Sequence, residues 1–518
     1  MAEVTIDTGA LAGTLRASKA GNPIHLFAGI PYAAPPVGDL RWLAPQPAAA
    51  WAGVRDASSY GASCPQPIAT ENGFQQTISN AINYAIIEAE PLIYDEDCLF
   101  LNVFSANLNP TKPLPVMFWI HGGAHRNGSG TPYPGQELAD RGVVVVTINY
   151  RLGPLGFVSH PALSEAGCFG NQGLLDTVAA LQWVQRNIRR FGGDPANVTV
   201  FGESAGGHST CAMVTSPLCK GLIHRAIAQS GVGAQATQLL DRAGAIPVSA
   251  EQTGIMLGER LGCAPGAEQL AAMRKIDVAD VIQLTATMPL PGVIIDGYCQ
   301  VKNPVTVFRQ GEHNNIPLLI GSNAYEGSAL YWGSPMVQMR MCPDVETYNN
   351  EFQRLFAADA DKALALYPAA STAEMVLSSK QLCGDSLFGA PSRAVAQALA
   401  AHGNDCYLYH FTQTPEGDDK GVLGAFHAME ISYVFGSDFL SPLSRQADQD
   451  LSATMMQYWV NFATHGNPNG PGLPTWNPYD GETDQQMELG ANVGMAATER
   501  AAKYDVVMDA IDRQLAAS

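Results

Sequence analysis

The chain has 518 residues, 46% of them apolar and 15% charged, with a formal net charge of −19. That composition describes a globular protein with a large core, and the acidic balance argues against nucleic acid or an anionic membrane surface as the main partner. No run approaches the ~20 consecutive apolar residues that a membrane span requires, and ten cysteines with no Cys-x-x-Cys pair give no metal or redox motif.

In chain order, Met1-Ala-Glu-Val-Thr-Ile-Asp7 holds neither a basic n-region nor an apolar h-region. The expectation is a cytoplasmic protein, or a secreted or periplasmic one if a signal peptide has been trimmed. Val4–Asp7, Leu11–Arg16 and Ile24–Gly29 read as hairpin strands, with turns at Gly9 and Gly21-Asn22-Pro23. The following Ile30–Pro36 cannot be helix, because its prolines remove donors and restrict their neighbours. Leu101–Ser105, Val116–His121, Val143–Asn149 and Val198–Phe201 are apolar runs suited to central strands. Leu174–Arg190 carries apolar residues at helical spacing and is stopped by Gly192-Gly193-Asp194-Pro195.

Strand, helix, strand in this order predicts an α/β fold, with a mostly parallel, doubly wound central sheet and helices on both faces. Ala226–Gln229, Pro317–Gly321 and Cys406–Phe411 read as later strands. With no internal repeat and no linker, residues 1–518 are expected to form one domain, with cap insertions around 64–98, 235–315 and 330–405.

Phe201-Gly202-Glu203-Ser204-Ala205-Gly206-Gly207 fits a G-x-S-x-G nucleophile elbow between a strand and a helix. A serine there is exposed on a strained turn, small neighbours avoid collision with strand and helix, and the Ala205 N–H points at an incoming carbonyl oxygen. A serine hydroxyl needs a base, usually a histidine held by a carboxylate. Seven histidines follow Ser204, among them His427 in Gly424-Ala-Phe-His-Ala-Met-Glu430.

Longer motifs narrow the choice: Phe27-Ala-Gly-Ile-Pro-Tyr-Ala33, Glu96-Asp-Cys-Leu-Phe-Leu-Asn-Val103, Trp119-Ile-His-Gly-Gly-Ala124, Gly170-Asn-Gln-Gly-Leu-Leu-Asp176, Phe191–Gly206 and Tyr458–Asn469. With these, the chain from residue 4 to about 480 resembles the type-B carboxylesterase/lipase family, which includes the cholinesterases. The resemblance implies an α/β-hydrolase fold, with Ser204 as nucleophile, His427 as general base and acid, and Glu326 as the carboxylate. It implies an oxyanion hole of the Gly123, Ala124 and Ala205 N–H groups, Ala124 standing where the family usually has glycine. Glu203 matches a buried supporting glutamate, and Cys64 and Cys98 match the family's first disulfide. Neither metal nor organic cofactor is needed, and the partner is a small-molecule ester.

The resemblance implies a serine carboxylesterase; a lipase or a carbamate or amide hydrolase would use the same triad, and some relatives are adhesion proteins without one. Activity should rise as His427 loses its proton, near the ordinary imidazole value of about 6.5. The 64–98 loop has no tryptophan to stack on a quaternary ammonium, which argues against a choline ester. Met288 and Leu290 fall in a segment expected near the acyl pocket, whose lack of aromatics fits a broader aliphatic group. His125 and Arg126 stand where the family commonly has an aromatic and a neutral residue, and are read either as contacts to a polar or anionic part of the substrate or as loop residues with unrelated hydrogen bonds. Oligomeric state is left open.

Overall fold

The computed structural model describes residues 2–67, 74–84, 86, 91–235, 237–285, 288, 292–333 and 342–516. Its strands are β1 (Glu3–Ile6), β2 (Gly9–Ala12), β3 (Thr14–Ala17), β4 (Pro23–Pro31), β5 (Val54–Asp56), β6 (Phe100–Ser105), β7 (Leu114–Ile120) and β8 (Val144–Ile148). They continue as β9 (Gly193–Glu203), β10 (Arg225–Gln229), β11 (Leu318–Asn323), β12 (Cys406–Phe411), β13 (Gln485–Leu489) and β14 (Val493–Ala497). Eleven form one sheet in the order β14-β13-β12-β11-β10-β9-β7-β8-β6-β4-β3, and β1-β2-β5 form a small separate sheet.

From β8 to β13 the neighbours run parallel, while β3, β4, β6 and β14 pair antiparallel at the flanks. The central strands are buried on both faces, which is why they are continuous apolar runs. Side-chain alternation sorts each strand between two cores. Val116, Phe118 and Ile120 of β7 share one with Leu174, Leu181 and Val184 of the helix Gln172–Asn187. Met117 and Trp119 share the other with Met455, Trp459 and Phe462 of the helix Gln446–His465. The sheet is therefore covered by helices on both sides, the α/β-hydrolase arrangement expected.

Several boundaries differ from expectation. The Leu11–Arg16 strand is broken at Gly13, where a Cβ would lie 2.6 Å from the Leu26 carbonyl oxygen, so β2 and β3 enter different sheets. The helix ends at Phe191 with Gly192 left-handed, as its stop signal implies, but the strand expected at Val198–Phe201 starts already at Gly193, its register shifting between Leu114 and Val116 of β7. Not all of 330–405 roofs the sheet: the helix Ala390–Ala401 buries Val395 and Leu399 in the same core as Ile320 of β11 and Leu408 of β12.

The Cys64–Cys98 bond expected from the resemblance is not formed in this structure. Both residues are buried free thiols, and contact with the Cys64 thiol raises the Cys98 pKa.

Among the described residues no helix is long and apolar enough to cross a membrane.

Candidate active site

Order in the sheet gathers the site. β8 lies on one side of β7 and β9 on the other, so the chain reverses its winding there. Crevices open at the carboxyl ends of parallel strands at such a switch point. Ile120 and Gly202 are paired near the ends of β7 and β9, which puts the loop starting at His121 beside Ser204.

Ser204 has φ 56° and ψ −119° immediately before the helix Ala205–Thr215. A non-glycine residue adopts that conformation only where its surroundings impose it. Here the Ser204 N–H donates to the Gln229 carbonyl at 2.9 Å. A Cβ on Gly206 would lie 1.9 Å from the Ile120 carbonyl oxygen, so only glycine lets the helix start this close to β7. Ser204 Oγ makes no capping bond to the helix it precedes, which leaves the hydroxyl free to turn.

Glu326 follows β11, and His427 lies in the loop after β12. The His427 Nδ1 to Glu326 Oε2 distance is 2.6 Å, and both residues are buried. The other Glu326 oxygen accepts from Ser230 Oγ at 2.6 Å and from the Asn323 N–H at 2.7 Å, so the carboxylate is fixed from both sides. Glu203 comes from the residue before the serine, its Oε1 3.2 Å from His427 Nε2. Burial alone would lower the His427 pKa, but Glu203 and Glu326 outweigh it and raise it to about 9. Burial also pushes Glu203 well above the ordinary carboxylate range, against the pull of His427. The Glu326 contact at 2.6 Å favours the imidazolium.

Gly123, Ala124 and His125 all have positive φ, at 103°, 55° and 56°. A Cβ on Gly123 would fall 2.1 Å from the Asn127 carbonyl oxygen, whereas Ala124 carries its Cβ at φ 55°. Among the described residues, the N–H groups of Gly123 and Ala124 donate to no backbone carbonyl. Ala205 opens its helix, where the N–H has no intrahelical acceptor.

The residues assigned to the substrate pocket separate. His125 is buried, with Nε2 3.0 Å from Ser209 Oγ and its ring 5.0 Å from that of Phe157. Burial, with lesser contributions from His208 and His121, lowers its pKa to about 3. Burial thus favours the neutral ring, which links the loop to the helix through Ser209. Met288 is buried with Trp42, Val158, Leu163 and Met273, a small core separate from the two that cover the sheet. Leu290 lies outside the described residues. Arg126 is half-buried in the loop.

Residue-type reasoning missed four groups. Ser230 stands just past β10, one strand over from Ser204, and the register of β9 against β10 is the signal that could have found it. Phe388 stacks on His427, with Phe74 edge-on at 6.1 Å. Glu430 accepts from Asn323 at 2.6 Å and from Gln229 at 3.1 Å, tying the histidine loop to two strand ends. Burial, then the Glu326 charge, raises its pKa to about 7. Among the described residues no group of three or more His, Cys, Asp or Glu could hold a metal.

The Carboxylesterase family model matches residues 1–507. The chain is 34% identical over 498 residues to Carboxylesterase 1C of Rattus norvegicus, covering 92% of this chain and 87% of that protein. It is 36% identical over 495 residues to the Fumonisin B1 esterase of Sphingopyxis macrogoltabida, covering 91% and 84%. It is 36% identical over 505 residues to the medium-chain fatty acyl-CoA hydrolase precursor of Anas platyrhynchos, covering 92% and 87%. An elbow serine, a histidine–glutamate pair and a match of this extent place the chain in the carboxylesterase family.

Proposed function

We propose that the protein hydrolyses carboxylic esters through an acyl-enzyme on Ser204. The observation that carries this is the His427–Glu326 bond of 2.6 Å, together with a serine held at φ 56° next to Glu203, whose carboxylate lies 3.2 Å from His427 Nε2. Ser204 Oγ attacks the ester carbonyl as His427 Nε2 takes its proton, and Glu326 holds the imidazole tautomer and stabilises the imidazolium. The oxyanion rests on the Gly123, Ala124 and Ala205 N–H groups, each such donor contributing about 3 kcal/mol to the transition state. His427 then protonates the leaving alcohol, and water activated by the same ring releases the acid.

The named activities of the relatives, ester hydrolysis and fatty acyl-CoA hydrolysis, fit one acyl-transfer chemistry with different leaving groups. The test is hydrolysis of p-nitrophenyl esters from acetyl to palmitoyl by wild type and Ser204→Ala, with fluorophosphonate labelling of both. Hydrolysis and labelling that vanish together in Ser204→Ala are expected. Hydrolysis that persists in the variant would sink the assignment.

A further inference from the structure

Arg126 sits three residues after Gly123, on the loop that presents the oxyanion donors. The loop is tightly held. The N–H groups of Arg126 and Asn127 both donate to the Gly123 carbonyl, at 2.9 and 3.1 Å. Gln66 grips Gly128 from both sides, its Oε1 accepting at 2.8 Å and its Nε2 donating at 2.9 Å. The His125 carbonyl accepts from the Gly153 N–H at 2.6 Å. The backbone carrying the Arg126 side chain is thus fixed relative to the reaction centre.

The guanidinium itself is unmatched. Arg41, Arg151, Arg393 and Arg500 are each paired with a carboxylate, at 2.6 to 2.8 Å. Arg126, half-buried, has no ion-pair or hydrogen-bond partner for its side chain among the described residues. Burial alone lowers its pKa, and no neighbouring carboxylate offsets that loss. A partly desolvated cation without a counter-charge loses solvation that no protein group restores, and on the loop of the oxyanion donors a ligand can supply the missing charge. The need is greater in this chain, whose net charge of −19 repels anions. The buried Glu203, Glu326 and Glu430 add acidic groups next to His427. A guanidinium meets a carboxylate with two parallel N–H···O bonds, a geometry that an ammonium cannot reproduce.

We propose that Arg126 selects esters bearing a free carboxylate, binding that group while the ester carbonyl lies over Ser204. This rests on the serine esterase reading above and names the substrate class of the same site.

The test uses matched pairs: p-nitrophenyl hemiglutarate against p-nitrophenyl valerate, and the butyrate ester of 4-hydroxybenzoate against phenyl butyrate. The first pair places the charge in the acyl group, the second in the leaving group. In Arg126→Gln the anionic-to-neutral ratio of kcat/KM should fall at least tenfold in one pair. Arg126→Lys should recover part of it, and melting should confirm that both variants fold. A ratio unchanged in both pairs, or an equal loss on charged and neutral members, overturns the proposal while leaving the esterase intact. Absence of Ser204-dependent hydrolysis on all four substrates overturns both.

Discussion

The ring of Phe388 lies against the imidazole of His427, with centroids 4.7 Å apart and planes 15° from parallel. Phe388 belongs to one turn of π-helix, Asp385–Gly389, a form often found at functional sites. The turn is anchored by Asp385, whose Oδ2 accepts from Tyr367 Oη at 2.7 Å and from Arg500 Nη2 at 2.8 Å. An aromatic face favours the imidazolium over the neutral ring by about 0.5–1 kcal/mol. Phe388→Leu, which keeps most of the volume, should lower kcat by about two- to fivefold on that figure. It should also move the pH midpoint of kcat/KM slightly down. Steady-state kinetics across pH check both, and a fall in kcat with an unmoved midpoint would make Phe388 only a steric support.

Proton inventory around His427 gives a second expectation. With its pKa raised to about 9 by Glu203 and Glu326 against the effect of burial, kcat/KM should rise with pH along a limb centred above the ordinary value of about 6.5. This revises the midpoint expected from an unperturbed histidine. Removing a nearby negative charge favours the neutral ring, so Glu203→Gln should shift the limb to lower pH. A limb that stays in place would mean that Glu203 is already protonated throughout.

Ser230→Ala tests the rear of the carboxylate. It leaves Glu326 Oε1 with the Asn323 N–H as its remaining donor. Loss of a hydrogen bond to a buried charged group costs about 1–3 kcal/mol. The expected result is roughly a tenfold fall in kcat at little change in KM, since imidazole orientation matters most in the transition state. A rise in KM alone would count against this role.

Stability should hinge on a pair away from the chemistry. Arg151 and Asp176 are fully buried and joined by two bonds, Nε to Oδ2 at 2.8 Å and Nη2 to Oδ1 at 2.7 Å. Removing one partner strands a buried charge, at a cost of about 3–5 kcal/mol. Arg151→Met should therefore lower the thermal midpoint by several degrees, whereas disrupting the exposed Arg186–Asp7 pair should barely move it, which paired melting curves would show.

Local pattern was enough for the central strands. Val144–Ile148 is a run of β-branched residues, and burial on both faces makes such runs conspicuous in any context. The edge hairpin of β13 and β14 escaped notice because it is amphipathic and short, with Met487 and Leu489 its main apolar contributions to the core. The elbow was legible for the same local reason: G-x-S-x-G is contiguous, and its glycines answer to clashes that the adjoining strand and helix create.

What the sequence by itself determined is therefore what acts over a few residues, namely the strand and helix order and the strained serine turn, with the family resemblance adding Glu326 and His427. The tertiary structure alone decided which side chains meet across the sheet. Ser230 reaches Glu326 because β10 lies between β9 and β11, and Phe388 reaches His427 because a part-buried ion pair holds its turn. His125 turns inward to Ser209 while Arg126, the next residue, is left without a counter-charge. Those outcomes depend on burial and on partners tens to hundreds of residues away, and chain-local chemistry carries no record of either.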